Sequence, residues 1–336
     1  MTTPEMIQYW GYPAETVEAT TADGYILDMH RIPWSPRLGN NGTSKPVVFF
    51  QHGLEDASSS WVINLPNESA AFIFSDAGFD VWMGNMRGNT YGRKHVSLDP
   101  SNSKFWDFSW DEMVKYDLDA LINTVLNITG QPYLYYIRKY FALAPVGTVK
   151  YITQGEFLPS DNLTQAIANY VCGDMIGNPV CDNILFLIGG PESHQFNSTR
   201  MPVYVAHSPA GTSTQNIMHW VQMVKTVNLK LQAYDYQNIQ ENINHYGQIT
   251  PPLYDLTKVN ADTYLYWSPS DWLADEKDIE GFLLPSLNPN ILKANNKIED
   301  FNHMDFIWGL NAAKIIYYPI INIINQDLNI TSIGGK

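Results

Sequence analysis

Residues Gly130–Val146 hold two strand-like segments with almost no chain between them. Tyr133–Ile137 (YLYYI) and Tyr140–Val146 (YFALAPV) are rich in aromatic and apolar side chains, which is typical of buried strands. Neighbouring parallel strands need a crossover of a dozen or more residues. Only Arg138 and Lys139 separate the two segments, so they cannot be adjacent parallel strands. The stretch therefore predicts either one long strand through both segments or the displacement of one of them.

The rest of the chain alternates predicted strands and helices. A turn at Ala22–Gly24 predicts a β-hairpin over residues 15–33, and apolar residues at helical spacing predict a helix over 111–127, capped by Ser109 or Asp111. The remaining predicted elements are strands at Lys45–Phe50, Asp80–Met83, Ala261–Trp267 and Ile291–Ala294, and helices after Asn67, at Glu276–Leu284 and at Ala312–Ile324, the last kinked or broken at Pro319. This order is typical of an α/β fold, a mostly parallel sheet with helices on both faces.

The periodicity is poor between residues 150 and 250, where both cysteines and several Pro and Gly residues lie. Long insertions of this kind are usually functional. We therefore expect three parts in the chain. They are the N-terminal part of a core at 1–149, an inserted cap at 150–250 and the C-terminal part of the core at 251–336.

The composition restricts the partners of the protein. A net charge of −14 and a pI near 4.8 argue against a nucleic-acid partner. No apolar run reaches the roughly 18 residues of a transmembrane helix. Met1 leads into TTPEMIQYWGYP without the basic and apolar regions of a signal peptide, so none is expected in this chain.

Two cysteines, Cys172 and Cys181, lie nine positions apart. They predict either a small disulfide loop in an oxidising compartment or two buried free thiols. Two cysteines alone cannot complete a zinc shell, so no metal is expected. Six Asn-x-Ser/Thr sequons favour a secretory-pathway protein, at Asn41, Asn67, Asn127, Asn162, Asn197 and Asn329.

Two residues near the C-terminus have an arrangement that suits acid–base chemistry. His303 lies on a predicted loop after a short strand, where an imidazole can act as a general base. Asp271 follows a strong predicted strand and precedes His303, in the chain order of a hydrolase triad. The alternatives remain open: His303 as an ordinary surface or core histidine, and Asp271 or Asp275 as the N-cap of the next helix.

A third candidate is the turn His52-Gly53-Leu54 after the first strong strand. Backbone N–H groups of such a turn can stabilise a developing oxyanion. The alternative is an ordinary turn at the end of a strand.

Taken together, these segments resemble the acid lipase family, the α/β-hydrolases that include gastric and lysosomal acid lipases. The matching stretches include WGYPAETVEATTADGYILDMHRIP, QHGLEDASSSWV, FDVWMGNMRGNTYGRKH, YFALAPVGTVKY, PAGTSTQNIMHW, SDWLAD and FNHMDFIWG. The resemblance implies Asp271 as the triad acid, His303 as the base, the Leu54 amide as an oxyanion donor and a cap disulfide between Cys172 and Cys181. It also implies lipid esters such as triacylglycerol or cholesteryl ester as substrates, transient contact with a lipid droplet or membrane surface, no cofactor, and a secreted or lysosomal location.

The chain departs from this family at its nucleophile. The family has a G-H-S-Q-G elbow and a helix after the strand that here reads YLYY, and no G-x-S-x-G occurs in this chain. The cap is also shortened between VKYI and GEFLPS. We therefore expect negligible ester hydrolysis and a stability lower than that of a full-length relative. A non-catalytic lipid-binding protein and a non-functional splice or gene-model product are the alternatives.

Other serines are poor substitutes for the missing nucleophile. Ser208 precedes Asp271 and His303, but Pro209 and Ala210 replace the glycine spacing that a strained strand-to-helix turn requires. Ser58, Ser59 and Ser60 are expected to begin a helix.

Overall fold

A computed structural model describes residues 1–150, 189–191, 193–226 and 228–329. The chain divides into two compact units, each described by itself. The first unit comprises Met1–Phe141, Val203–Met218 and Ile307–Lys336, and the second comprises Ala142–Pro202 and His219–Phe306. The predicted division at residues 150 and 250 into core and cap stays a prediction.

The first unit contains a five-stranded sheet. Its strands are β1 (Glu15–Thr20), β2 (Tyr25–Ile32), β3 (Val47–Phe50), β4 (Asp80–Met83) and β5 (Lys94–His95), in the order β1-β2-β4-β3 with β5 also paired to β2. The hairpin β1–β2 is confirmed, with Gly24 at φ 100° in its turn, a conformation that favours glycine. Among the described strands of this sheet, only β3 and β4 pair in parallel, so the expectation of a mostly parallel sheet is wrong for this sheet. The short hairpin connection forces the antiparallel pairing of β1 with β2, and β2 then also pairs antiparallel with β4 and β5.

Helices cover this sheet. They are α1 (Thr3–Tyr9), α2 (Ala70–Asp76) and α3 (Trp110–Glu112), which continues through a π-helical turn at Met113–Leu118 into α4 (Asp119–Thr129). Helix α5 (Met201–His207) comes later in the chain, and most of it belongs to the same unit. Ser109 caps α3 through its hydroxyl, which confirms one of the two predicted caps. Leu121 and Val125 of α4 pack into an apolar core with strand residues Leu27, Phe49 and Trp82.

The segment Gly130–Val146 adopts one of the two predicted arrangements. Tyr135 forms a single parallel bridge with Val48 of the first sheet. The N–H groups of the next three residues all donate to the Leu134 carbonyl, at 3.2, 3.3 and 3.1 Å, so the chain turns at once. It then forms β6 (Lys139–Leu143), whose end enters the second unit. The single long strand is therefore wrong, because the two segments pair in different sheets.

The second unit contains a smaller sheet in the order β6-β7-β8. Strands β7 (Asp262–Trp267) and β8 (Leu292–Lys297) pair in parallel, and the Ala144 amide donates to the Tyr266 carbonyl at 2.9 Å. The helices of this part are α6 (Thr214–Val224), which begins in the first unit, α7 (Ile239–Tyr246), and α8 (Glu276–Asp278), which continues through a π-helical turn at Ile279–Leu283 into α9 (Leu284–Ser286).

The C-terminal segment is helical and returns to the first unit. It consists of α10 (Asp305–Trp308), a π-helical turn at Ala313–Tyr317 and α11 (Tyr318–Asp327). Pro319 lies in the first turn of α11, directly after the π-helical turn, where its missing N–H costs no α-helical bond. Among the described helices, none combines the length and apolarity that a membrane span requires.

Candidate active site

Asp271 and His303 lie together in the second unit. The Nδ1 atom of His303 is 2.9 Å from Oδ2 of Asp271, whose side chain is fully buried, and the imidazole is 23% exposed. The two residues follow β7 and β8, which are parallel neighbours, so both loops leave the same edge of the sheet. Because a carboxylate can only accept, this contact places the proton of a neutral His303 ring on Nδ1.

The second oxygen of Asp271 holds its own loop. Its Oδ1 atom accepts hydrogen bonds from the N–H groups of Leu273 and Ala274, each at 2.8 Å. The helix that follows is capped by Asp275, which accepts from the Lys277 amide at 2.8 Å. Asp271 therefore binds backbone with one oxygen and the imidazole with the other, while the predicted alternative of a helix N-cap belongs to Asp275.

The loops that present these two side chains meet at a pair of glycines. The Gly189 carbonyl accepts from the His303 N–H at 2.8 Å and from the Trp272 N–H at 3.4 Å. Gly190 has φ 122°, and a Cβ atom there would lie 2.1 Å from the Ser270 carbonyl oxygen. Sequence reasoning missed this support. The signal that marks it is the Gly-Gly-Pro run at 189–191, which predicts a turn.

The predicted oxyanion turn belongs to the first unit and is fixed by His52. The Nε2 atom of His52 accepts from the Met86 N–H at 3.1 Å, so the ring proton lies on Nδ1, which donates to the Gly53 carbonyl at 2.7 Å. Burial lowers the pKa of His52, which favours this neutral ring. Leu54 is 42% exposed, and within the described part of the chain its amide donates no hydrogen bond. This geometry permits an oxyanion donor at Leu54, whose role stays a prediction.

Ser208 lacks the geometry of a nucleophile elbow. It follows the carboxyl end of helix α5, whereas an elbow serine lies between a strand and the start of a helix. Its amide donates to the Tyr204 carbonyl at 3.0 Å, and its buried hydroxyl has no hydrogen-bond partner among the described residues. Ser208 belongs to the first unit, whereas Asp271 and His303 belong to the second.

Ser58, Ser59 and Ser60 begin the 3₁₀ turn Ser58–Trp61, which confirms their helical interpretation. The hydroxyl of Ser58 lies 2.7 Å from Nδ1 of His30, and both residues are at most 2% exposed. Burial lowers the pKa of His30 to about 4. A serine without solvent access cannot meet a substrate, so this pair is structural.

The two cysteines, Cys172 and Cys181, and the sequon at Asn162 lie outside the described residues. Of the other sequon asparagines, those at positions 41, 67, 127 and 329 are exposed and Asn197 is half-buried. Exposure is what an N-glycan acceptor needs, and glycosylation stays a prediction.

Comparison with known proteins places this chain among lipases. Residues 3–65 match a family model described as partial alpha/beta-hydrolase lipase region. Lipase lipl-1 of Caenorhabditis elegans is 50% identical, and the match covers 98% of this chain and 92% of the relative. Human gastric triacylglycerol lipase is 41% identical over 97% of this chain and 92% of the relative. The lysosomal acid lipase/cholesteryl ester hydrolase of Macaca fascicularis is also 41% identical, over 97% and 91%.

The comparison with lipl-1 also measures what this chain lacks. The alignment with lipl-1 spans 377 positions, whereas this chain has 336 residues. At least 41 of the aligned positions (377 minus 336) are therefore occupied by the relative alone.

Among solved structures, the epoxide hydrolase VrEH1 from Vigna radiata has a TM-score of 0.51 at 14% identity over 95% of this chain and 99% of that chain. The naproxen esterase from Bacillus subtilis has a TM-score of 0.51 at 11% identity, over 96% and 95%.

Proposed function

Because this chain belongs to the acid lipase family and has the α/β-hydrolase fold, we propose that its ligands are carboxylic esters of lipids or their fatty acids, which it binds without appreciable hydrolysis. The gastric and lysosomal relatives bear the names of triacylglycerol and cholesteryl ester hydrolases, so these two ester classes are the substrates proposed for the lineage. The same relatives favour a secreted or lysosomal location.

One observation carries this proposal. The Asp271–His303 pair is formed at 2.9 Å, while the chain turns directly from Tyr135 into β6 with no serine between them. In a serine hydrolase the imidazole takes the proton of the serine hydroxyl, and the carboxylate orients the ring and stabilises the imidazolium that forms. We infer that Asp271 and His303 are the acid and the base of such a triad, and that the serine hydroxyl whose proton the imidazole would take is missing.

The expected loss of rate is large. Removing the nucleophile of a serine hydrolase lowers turnover by about a millionfold, because only oxyanion and binding effects remain. We therefore expect hydrolysis of p-nitrophenyl esters and of emulsified triolein to stay at the buffer rate between about pH 4 and 8. The matched variant is His303→Ala, which should leave this background unchanged.

Binding is measured separately from hydrolysis. Titration of the full chain with monomeric oleate, followed by calorimetry, should give saturable binding, with no release of product from a radiolabelled ester. Turnover that His303→Ala abolishes would contradict the proposal, and Ser208→Ala would then show whether Ser208 is the nucleophile. An absence of any oleate binding would also contradict it.

A non-functional product remains the alternative to a binding protein. The excess of at least 41 positions in the lipl-1 comparison is large enough to contain a nucleophile elbow and the helix that follows it. Sequencing transcripts across the codons for Tyr136 and Ile137 tests this alternative. A message that encodes a G-x-S-x-G elbow at this junction would assign the ester hydrolysis to that longer form.

A further inference from the structure

Two dipeptides in this chain have a sequence that favours attack of the backbone on a side chain. Asp23 and Asn41 are each followed by a glycine, Gly24 and Gly42, and no other aspartate or asparagine is. In such a pair the nitrogen of the glycine can bond to the side-chain Cγ atom and close a five-membered succinimide ring. Glycine permits this close approach because it has no Cβ atom. The structure places the two dipeptides in opposite environments.

The dipeptide Asp23-Gly24 lies in the turn of the hairpin β1–β2 and is held at both residues. The Nη1 and Nη2 atoms of Arg87 donate to Oδ2 and Oδ1 of Asp23 at 2.6 and 2.8 Å, and the Arg87 side chain is 1% exposed. The Gly24 N–H donates to the Thr21 carbonyl at 3.0 Å. Burial acts to raise the pKa of Asp23, but hydrogen bonds from Arg87 and Thr21 outweigh it and lower the pKa. Asp23 therefore stays an ionised, fixed carboxylate, which resists attack by an amide nitrogen.

The dipeptide Asn41-Gly42 lies in the exposed segment between β2 and β3. The Gly42 N–H donates to Asn40 Oδ1 at 3.3 Å, which is long for such a bond, and a Cβ atom at Gly42 would have no heavy atom within 4 Å. The side-chain oxygen of Asn41 accepts from the Thr43 N–H at 3.2 Å and from Thr43 Oγ1 at 2.7 Å. These donors bind the oxygen on which negative charge develops when a nucleophile attacks the carboxamide. The site combines an unhindered nitrogen with an activated carboxamide.

We propose that Asn41 is a site of spontaneous deamidation through a succinimide formed with Gly42. The Gly42 nitrogen loses its proton and bonds to Cγ of Asn41, while Nδ2 takes up a proton and leaves as ammonia. Water then opens the ring at one of its two carbonyl carbons. Attack at Cγ gives an aspartate, and attack at the main-chain carbonyl gives an isoaspartate, in which the chain continues through the side chain.

This modification competes with the glycan predicted at the same residue. Asn41-Gly42-Thr43 is one of the sequons, and an N-glycan is attached to the side-chain nitrogen that deamidation removes. The two modifications therefore exclude each other. A chain without a glycan at Asn41 gains one negative charge with time and, in the isoaspartate form, one main-chain atom ahead of β3. The inference is independent of lipid binding.

Peptide mapping of the full chain tests the proposal. Protein expressed without N-glycosylation is incubated at neutral pH, and mass spectrometry with isoaspartyl methyltransferase labelling follows each residue. Asn41 should convert at least about tenfold faster than the exposed Asn40, which no glycine follows, and Gly42→Ala should slow the conversion at least about tenfold. Thr43→Val keeps the shape of the side chain but removes the hydroxyl donor, and it should slow the conversion about threefold.

Asp23 is the matched control within the same molecule. The folded chain should form no detectable isoaspartate at Asp23, whereas in urea, where Arg87 no longer binds the carboxylate, isoaspartate should accumulate there. Three results would overturn the proposal: an Asn41 no more reactive than Asn40, a rate that Gly42→Ala leaves unchanged, and equal accumulation of isoaspartate at Asn41 and Asp23 in the folded chain. An unchanged rate in Thr43→Val would refute the activation by its hydroxyl. Far-ultraviolet circular dichroism establishes that the variants are folded.

Discussion

The hydroxyl of Tyr135 donates to Oδ2 of Asp327 at 2.7 Å, which joins the segment before the turn at residues 136–138 to the end of helix α11. The same carboxylate binds the segment after the turn, through Arg138 Nε at 2.5 Å and Lys139 Nζ at 3.3 Å. The ring of Tyr133 lies 4.3 Å below the Arg138 guanidinium. One half-buried carboxylate therefore holds both sides of the turn.

Asp327→Ala should destabilise the protein by about 2–4 kcal/mol, because it removes three partners and leaves a Lys139 that is 8% exposed without this counter-charge. Urea unfolding followed by tryptophan fluorescence measures the change. The control is Glu15→Gln, which removes an ion pair with Arg31 whose carboxylate is 47% exposed and should cost at most about 0.5 kcal/mol. Equal effects of the two variants would refute a special role for Asp327.

The same carboxylate should affect stability in acid. Burial acts to raise the pKa of Asp327, but hydrogen bonds from Arg138, Tyr135 and Lys139 outweigh it and lower the pKa to about 2. The pKa of Asp327 is lower in the folded state than in the unfolded state. Its carboxylate therefore makes its full contribution to the free energy of unfolding above about pH 4, and this contribution is lost as the pH falls toward 2. Asp327→Asn should therefore show a smaller loss of stability than the wild type across this interval.

Asp271→Ala should cost about 2–4 kcal/mol, since it leaves the amides of Leu273 and Ala274 and the imidazole of His303 without their acceptor. Asp275→Ala provides the comparison, because Asp275 only caps a helix and its loss should cost about 1 kcal/mol. Both values come from urea unfolding. If the two variants lose the same stability, the buried pair contributes nothing beyond a cap.

Gly190→Ala should destabilise the second unit by at least about 3 kcal/mol. A methyl group would meet the Ser270 carbonyl at 2.1 Å, in addition to the strain of φ 122°. Gly247→Ala is the control, because Gly247 has φ 70° but open space around it, and it should cost about 1 kcal/mol. A similar cost for both in thermal unfolding would show that the conformation, not the Ser270 contact, requires Gly190.

His30 should make the protein sensitive to pH between about 6.5 and 4. Burial lowers the pKa of His30 from its ordinary value of 6.5 to about 4 in the folded state. The unfolded chain binds this proton more readily than the folded one. Neutral His30 therefore makes its full contribution to the free energy of unfolding above pH 6.5, and the free energy of unfolding falls by about 3 kcal/mol as the pH falls toward 4. His30→Asn should flatten this part of the stability curve in chemical denaturation. An unchanged slope would exclude His30 as its cause.

Local sequence patterns were sufficient to predict several elements, because alternation, helical spacing and caps act between near neighbours in sequence. These elements are the hairpin β1–β2, the strands β3, β4 and β7, and the helices after Asn67 and Ser109. The residues Asp271 and His303 were selected by their order in the chain and by resemblance. Their contact joins residues 32 positions apart, which no local pattern contains. The Gly189–Gly190 support was missed for the same reason.

The sequence by itself determined that residues 130–146 cannot contain two adjacent parallel strands, because two residues are too short for a crossover, and that no G-x-S-x-G elbow exists. Only the tertiary structure decided how the chain accommodates this. Tyr135 stays with β3, β6 belongs to the second sheet, and Asp327 binds both ends of the turn. The hydrogen bond between Tyr135 and Asp327 joins residues 192 positions apart in the sequence. Such a contact, like the pairing of strands in a sheet, depends on which surfaces meet in the folded chain.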